Sequence, residues 1–104
     1  MLDWAPKAID DLKEIVNYIL PFDPDIADYV QEAIYDRAEW IVNNFPMAGG
    51  RVEGLGPQYR QNYAIRDKYR IIYKVLGDRS IKIIMVRHTK RRPTSASEIR
   101  EQDQ

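Results

Sequence analysis

Few side chains here are equipped for chemistry, and most lie in the second half of the chain. His88 is the single histidine, so it alone exchanges protons easily near neutrality at an unperturbed pKa. Arg70 stands 18 residues before it, and its permanently charged guanidinium fork matches phosphate and carboxylate oxygens. Just past His88 the run Lys90-Arg91-Arg92 concentrates positive charge. The chain has no cysteine, which excludes disulfides, zinc–thiolate sites and a thiol nucleophile. Four of its five glycines fall between Gly49 and Gly56. That stretch lacks the Gly-Lys-Ser/Thr ending of a nucleotide-binding loop, so it reads as a connector.

The elements that must hold Arg70 and His88 in place are strands. Tyr69-Arg70-Ile71-Ile72-Tyr73-Lys74-Val75-Leu76 is rich in β-branched and aromatic residues and has a polar turn on each side. Turns as short as Ile65–Lys68 and Gly77–Arg79 join antiparallel neighbours, because a parallel return needs a crossover of about a dozen residues or more. A three-stranded meander results: Tyr59 to Ala64, Tyr69 to Leu76 and Ser80 to Arg87. Period two puts Tyr69, Ile71, Tyr73 and Val75 on one face, and Arg70, Ile72, Lys74 and Leu76 on the other.

Two helices precede the meander. Pro6 suits a first helical turn, and Ala8, Leu12, Ile15, Val16 and Ile19 follow at helical spacing, with Lys7, Asp10, Asp11, Lys13, Glu14 and Asn17 opposite. Pro21 stops that helix near Leu20. Asp23-Pro24 starts the next, whose stripe of Ile26, Val30, Ala33, Ile34, Arg37 and Ile41 runs to Asn43 or Asn44, where Phe45-Pro46 ends it. Tyr29, Tyr35 and Trp40 lie off that stripe. Met1 to Trp4 can add an edge strand, Met47 to Pro57 is loop, and Thr89 to Gln104 is frayed or a short helix with only Ile99 to bury. The expected architecture is α+β: an N-terminal helical hairpin on a small antiparallel sheet, in the order β-α-α-β-β-β. Residues 1–92 form one domain and residues 93–104 a polar tail.

With 44% hydrophobic and 31% charged residues in 104, the chain can bury a modest core and is not disordered. No apolar run approaches the roughly 20 residues of a membrane helix, and no secretory leader is evident. A cytoplasmic protein without metal or cofactor is expected. The net charge of zero conceals a strong asymmetry. Residues 1–50 carry three cations against ten anions, and residues 51–104 thirteen cations against six anions. Such a division points to a charged partner.

Taken together, three stretches resemble the RelE/ParE family of toxins from type II toxin–antitoxin pairs. They are Trp4 with Ala8–Val16, the helix ending Asn44-Phe45-Pro46 before Gly-Gly-Arg, and Tyr69–Val75 followed by Ile81–His88. The resemblance spans roughly Leu2 to Arg92. It implies one of two activities. RelE-like members are ribosome-dependent mRNA endonucleases; ParE-like members keep the fold without the nuclease residues and poison DNA gyrase. In the first case Arg70 would stabilise the phosphorane, His88 would be the acid and Glu53 the base, for attack of a ribose 2′-OH on its phosphate. The Arg-to-His interval resembles that of YoeB-type nucleases, but Thr89 stands where those have tyrosine, and a neutral chain is poorly suited to a polyanion.

The ParE-like reading is favoured. It implies no catalysis by the chain itself and places the gyrase-facing determinants at Arg87, His88, Lys90, Arg91 and Arg92. The resemblance further implies a cognate antitoxin whose disordered segment folds along the hairpin and sheet. That would make a hetero-oligomer in which Tyr29, Tyr35 and Trp40 serve as anchors.

Overall fold

The computed structural model describes residues 1–44, 46–92 and 94–103. Phe45, expected to help end the second helix, lies outside them, as do Pro93 and Gln104 of the expected tail. The chain forms β1 (Leu2–Trp4), α1 (Pro6–Ile19), α2 (Pro24–Asn43), a 3₁₀ turn (Pro46–Ala48), β2 (Gly50–Arg51), β3 (Tyr59–Ala64), β4 (Tyr69–Val75), β5 (Ile81–His88) and α3 (Ala96–Gln102). The sheet order is β1-β5-β4-β3-β2. The meander β3-β4-β5 is antiparallel as expected. Two short strands widen it to five: β2 pairs antiparallel with β3, and β1 lies parallel to β5.

Helix boundaries follow the proline signals. Asp23 caps α2, its Oδ1 accepting from the N–H groups of Asp25 and Ile26 at 3.1 and 3.2 Å, and Pro24 occupies the first turn, where a missing N–H costs nothing. The buried stripe of α2 is Ala27, Val30, Ile34, Ala38 and Ile41, whereas Ile26 is 50% exposed. The stripe is therefore rotated from the expected one toward the small alanines, which let α2 approach its neighbours. On α1, Asp11 is buried although it was placed on the polar side. Its Oδ2 accepts from the Val86 N–H at 3.0 Å and its Oδ1 from Lys7.

Val86 lies past the end of β1, which pairs β5 only over Ile81–Ile83, and β5 is irregular just before it. Ile72 faces Met85 while Tyr73 faces Ile83, leaving Ile84 as an extra residue. In such a bulge two adjacent side chains point the same way and the alternation resets. Ile81, Ile83 and Val86 join the core beneath α1 and α2, whereas Ile84 and Met85 point to the opposite face.

Both faces of the sheet are consequently covered. On the first, the helices pack over Tyr69, Ile71 and Tyr73. On the second, α3 brings Ile99, 1% exposed, onto Ile72, Ile84 and Met85, with Val52 and Tyr59 alongside. The expected frayed tail or short helix is thus a helix, docked on the sheet. The connector from Pro46 is also fixed: the Tyr73 hydroxyl donates to the Pro46 carbonyl at 2.7 Å. Gly49 is required there, since a Cβ would collide with that hydroxyl and lie 2.8 Å from the Gln61 carbonyl.

Candidate functional site

Strand alternation sorts the chemically equipped residues by face. His88 pairs across the ladder with Tyr69, and the two rings meet edge to face at 5.1 Å between centroids. Tyr69 belongs to the core under the helices, so His88 looks to that side. Its Nδ1 accepts from the Lys90 N–H at 3.1 Å. The ring borders an open cleft of about 990 Å³ lined by Ile15, Tyr18 and Ile19 of α1 and by Lys90 and Arg91.

Arg70 faces the other way. It stands between Tyr63 of β3 and Arg87 of β5, each its direct register partner. Arg70 Nη1 donates to Gln61 Oε1 at 3.4 Å and Arg87 Nη2 to the Arg92 carbonyl at 3.4 Å. Neither guanidinium meets a carboxylate among the described residues. Glu53 is exposed in the loop between buried Val52 and Gly54, whose backbone closely approaches Ala96 of α3. The structure therefore brings Arg70 beside Arg87, leaves Glu53 exposed in a loop, and sends His88 to the opposite face. Lys90, Arg91 and Arg92 are exposed beyond β5, with Arg92 paired to Glu98 at 3.0 Å.

The same face holds a second cation pair with a different solution. Lys74 and Lys82 are also cross-strand partners, and Asp103 lies between them, 3.1 Å from one ammonium and 3.2 Å from the other, while the Tyr59 hydroxyl donates to the same carboxylate. Burial opposes ionisation of Asp103, but the hydrogen bonds from Tyr59, Lys74 and Lys82 outweigh it and hold its carboxyl below the usual range. The hydrogen bond to Asp103 likewise raises Lys74 against the opposing effect of burial. Burial, then the bond to Asp103, raises Tyr59. Among the described residues no three His, Cys, Asp or Glu side chains cluster as a metal site would require, and no helix is long and apolar enough to cross a membrane.

The three aromatics of α2 do not form one patch. Tyr29, 60% exposed, and Trp40, 47% exposed, share a groove with Ala33, Asp36, Ala64 and Ile65, and Arg37 stacks over the Trp40 ring at 4.9 Å. Tyr35 turns to the other flank, where its ring meets Trp4 edge to face at 5.2 Å and borders a hollow with Ile9, Leu12 and Val16.

The family model described as the ParE toxin of the type II toxin–antitoxin system parDE matches residues 2–93. The chain belongs to that family. Among solved structures it resembles the chromosomal ParDE system from P. aeruginosa, at TM-score 0.71 and 21% identity over 86% of this chain and 95% of that one. The isolated E. coli RelE toxin gives TM-score 0.64 and 14% identity over 97% and 96% of the two chains. The intact E. coli RelBE complex gives 0.63 and 14% over 88% and 98%. At these identities the likeness is one of fold. No curated protein sequence matches the chain.

This ParE-family chain carries features that period and composition did not reveal. Asp103 sits in a polar tail whose docking depends on one apolar residue, so nothing local marks it as the partner of Lys74 and Lys82. The Arg70–Arg87 pairing is hidden by the bulge: uninterrupted alternation from Ile81 would have put Arg87 on the helical face. Only Lys74 and Lys82 were readable in part, since a short turn between β4 and β5 sets their neighbourhood in advance.

Proposed function

We propose that this type II toxin-family chain acts as a ParE-like inhibitor of DNA gyrase, held off by a cognate antitoxin. The observation that supports this reading over an RNA-cleaving one is the division of Arg70 and His88 between opposite faces of the sheet. Cleavage through the 2′-OH needs acid, base and phosphate-binding cation around one phosphate, and these side chains do not converge on one. A binding mode needs only a surface. Lys90, Arg91 and Arg92 are exposed next to His88, where cations can meet DNA phosphates or acidic protein in a gyrase–DNA complex. The antitoxin segment would cover α2 along the groove between Tyr29 and Trp40, with Tyr35 engaged from the other flank.

The decisive experiment pairs two assays on the purified toxin. Gyrase supercoiling should stop, or cleaved DNA accumulate, while message in a ribosome-containing translation mix stays intact. Cut message that is spared by Arg70→Ala or His88→Ala would replace this reading with RelE-like endonuclease activity. For the antitoxin surface, alanine at both Tyr29 and Trp40 should weaken antitoxin binding in a calorimetric titration while the toxin still folds; unchanged affinity would remove that assignment.

A further inference from the structure

Two cross-strand cation pairs share the α3-side face of the sheet, and they are handled unequally. Lys74 and Lys82 are bridged by the carboxylate of Asp103. Arg70 and Arg87 occupy directly opposed positions on the same two strands, an arrangement of like charges that destabilises a sheet when nothing lies between them. Both Nε–H groups are shut off from solvent without an acceptor among the described residues, and Thr94, just beyond the Arg92 carbonyl that accepts from Arg87, has a buried hydroxyl in the same condition. Buried donors are nearly always satisfied. Two adjacent, half-buried guanidinium groups whose hydrogen bonds among the described residues are 3.4 Å contacts to neutral oxygens are an incomplete oxyanion site.

We propose that Arg70 and Arg87 form a receptor for one carboxylate side chain of the antitoxin, which bridges them as Asp103 bridges Lys74 and Lys82. This rests on the antitoxin-bound reading above and adds to it a site on the sheet, away from the α2 groove. A carboxylate is favoured over a nucleic-acid phosphate because the fold already closes the sister pair on the same two strands with a carboxylate. Arg87 also belongs to the surface assigned to the target, so an antitoxin carboxylate seated there would occlude part of it.

The test uses the full toxin and its cognate antitoxin. Arg87→Leu should weaken antitoxin affinity about tenfold or more, as expected for losing a desolvated charge pair, while the melting temperature of the free toxin holds or rises because a like-charge contact is gone. Arg70→Met carries the same expectation and stands in if Arg87→Leu fails to fold. Arg87→Glu should abolish binding, and exchange of one antitoxin Glu or Asp for Lys should restore it. Wild-type affinity in both folded variants would overturn the assignment. So would a single-stranded RNA or DNA oligonucleotide whose anisotropy-detected binding vanishes in Arg87→Leu while antitoxin affinity stays constant, since the anion would then be phosphate. A wild-type toxin that binds no antitoxin would sink the antitoxin reading itself, and a wild type that binds antitoxin but spares gyrase would sink only the target.

Discussion

Replacing Ile99 with alanine tests whether α3 is part of the folded toxin or merely rests on it. Ile99 is 1% exposed and is the one buried residue of the helix. An Ile→Ala change at such a site removes roughly 2–5 kcal/mol when the surroundings cannot move. Here they can. Holding a seven-residue helix in place opposes about 1–2 kcal/mol of backbone entropy per residue, and the favourable side consists of Ile99, the Asp103 cluster, the Ser95 cap and the ion pair of Arg92 with Glu98. The margin of docking is therefore a few kcal/mol at most. The variant should answer by releasing α3 and exposing Ile72, Ile84 and Met85, so that the loss saturates near the docking free energy. If that is about 2 kcal/mol, the melting temperature falls by roughly 10 °C. Hydrogen exchange read by mass spectrometry should show protection lost across residues 94–103 and retained in β4 and β5. Wild-type exchange in α3 of Ile99→Ala would refute the reasoning, because the helix would then be held by its polar contacts without Ile99.

Asp11→Ala should destabilise the fold by about 2–3 kcal/mol, since it orphans the buried Val86 N–H that Asp11 accepts from; urea denaturation at neutral pH measures it. Gly49→Ala should lose roughly 2–4 kcal/mol by breaking the Tyr73–Pro46 bond, with near-ultraviolet circular dichroism reporting the tyrosine. Docking of α3 should weaken at both ends of the pH range. The depressed carboxyl of Asp103 contributes stability that is present above its unfolded value of about 4 and is lost as pH falls through the lower folded value. Lys74 and Tyr59, both raised, contribute stability that is present below about pH 10 and is lost as pH rises through their folded values. Thermal melts of wild type and Asp103→Asn across this range should converge at low pH; parallel curves there would remove Asp103 as the cause.

The parts of the fold that were legible in sequence are those with local causes. Pro6, Asp23-Pro24 and Pro21 state where helices start and stop, because a missing N–H or a capping carboxylate acts within one turn. Alternation along Tyr69–Val75 sorted its faces correctly, since each side chain there meets one kind of surface. Helical period placed Tyr29, Tyr35 and Trp40 off the main stripe, but neither their exposure nor their division into two flanks followed from it, because both depend on where β1 and the β3–β4 turn lie. Asp11 was misplaced for a similar reason. An acidic residue beside a polar stripe reads as solvated unless a strand from the far end of the chain needs its oxygen.

The least legible feature is also the one on which the site turns. Ile81-Lys82-Ile83-Ile84-Met85-Val86 is nearly all apolar, so no alternation betrays a residue out of step, and a strand buried on both faces has none to offer. Yet a shift of one residue sends every later side chain to the other face. With Ile84 absorbed into regular pleating, His88 would lie on the face of Arg70, and Arg87 would turn beneath the helices. With Ile84 bulged, Arg87 joins Arg70 and His88 leaves. Asp11 accepts from Val86 just past the bulge, so a carboxylate on α1 is tied to the stretch of β5 where Arg87 and His88 take their faces. The Arg70-to-His88 interval, which in sequence resembles that of a nuclease, therefore does not place the two groups at one site. Spacing along a strand has chemical meaning only once every residue between is known to keep the pleat.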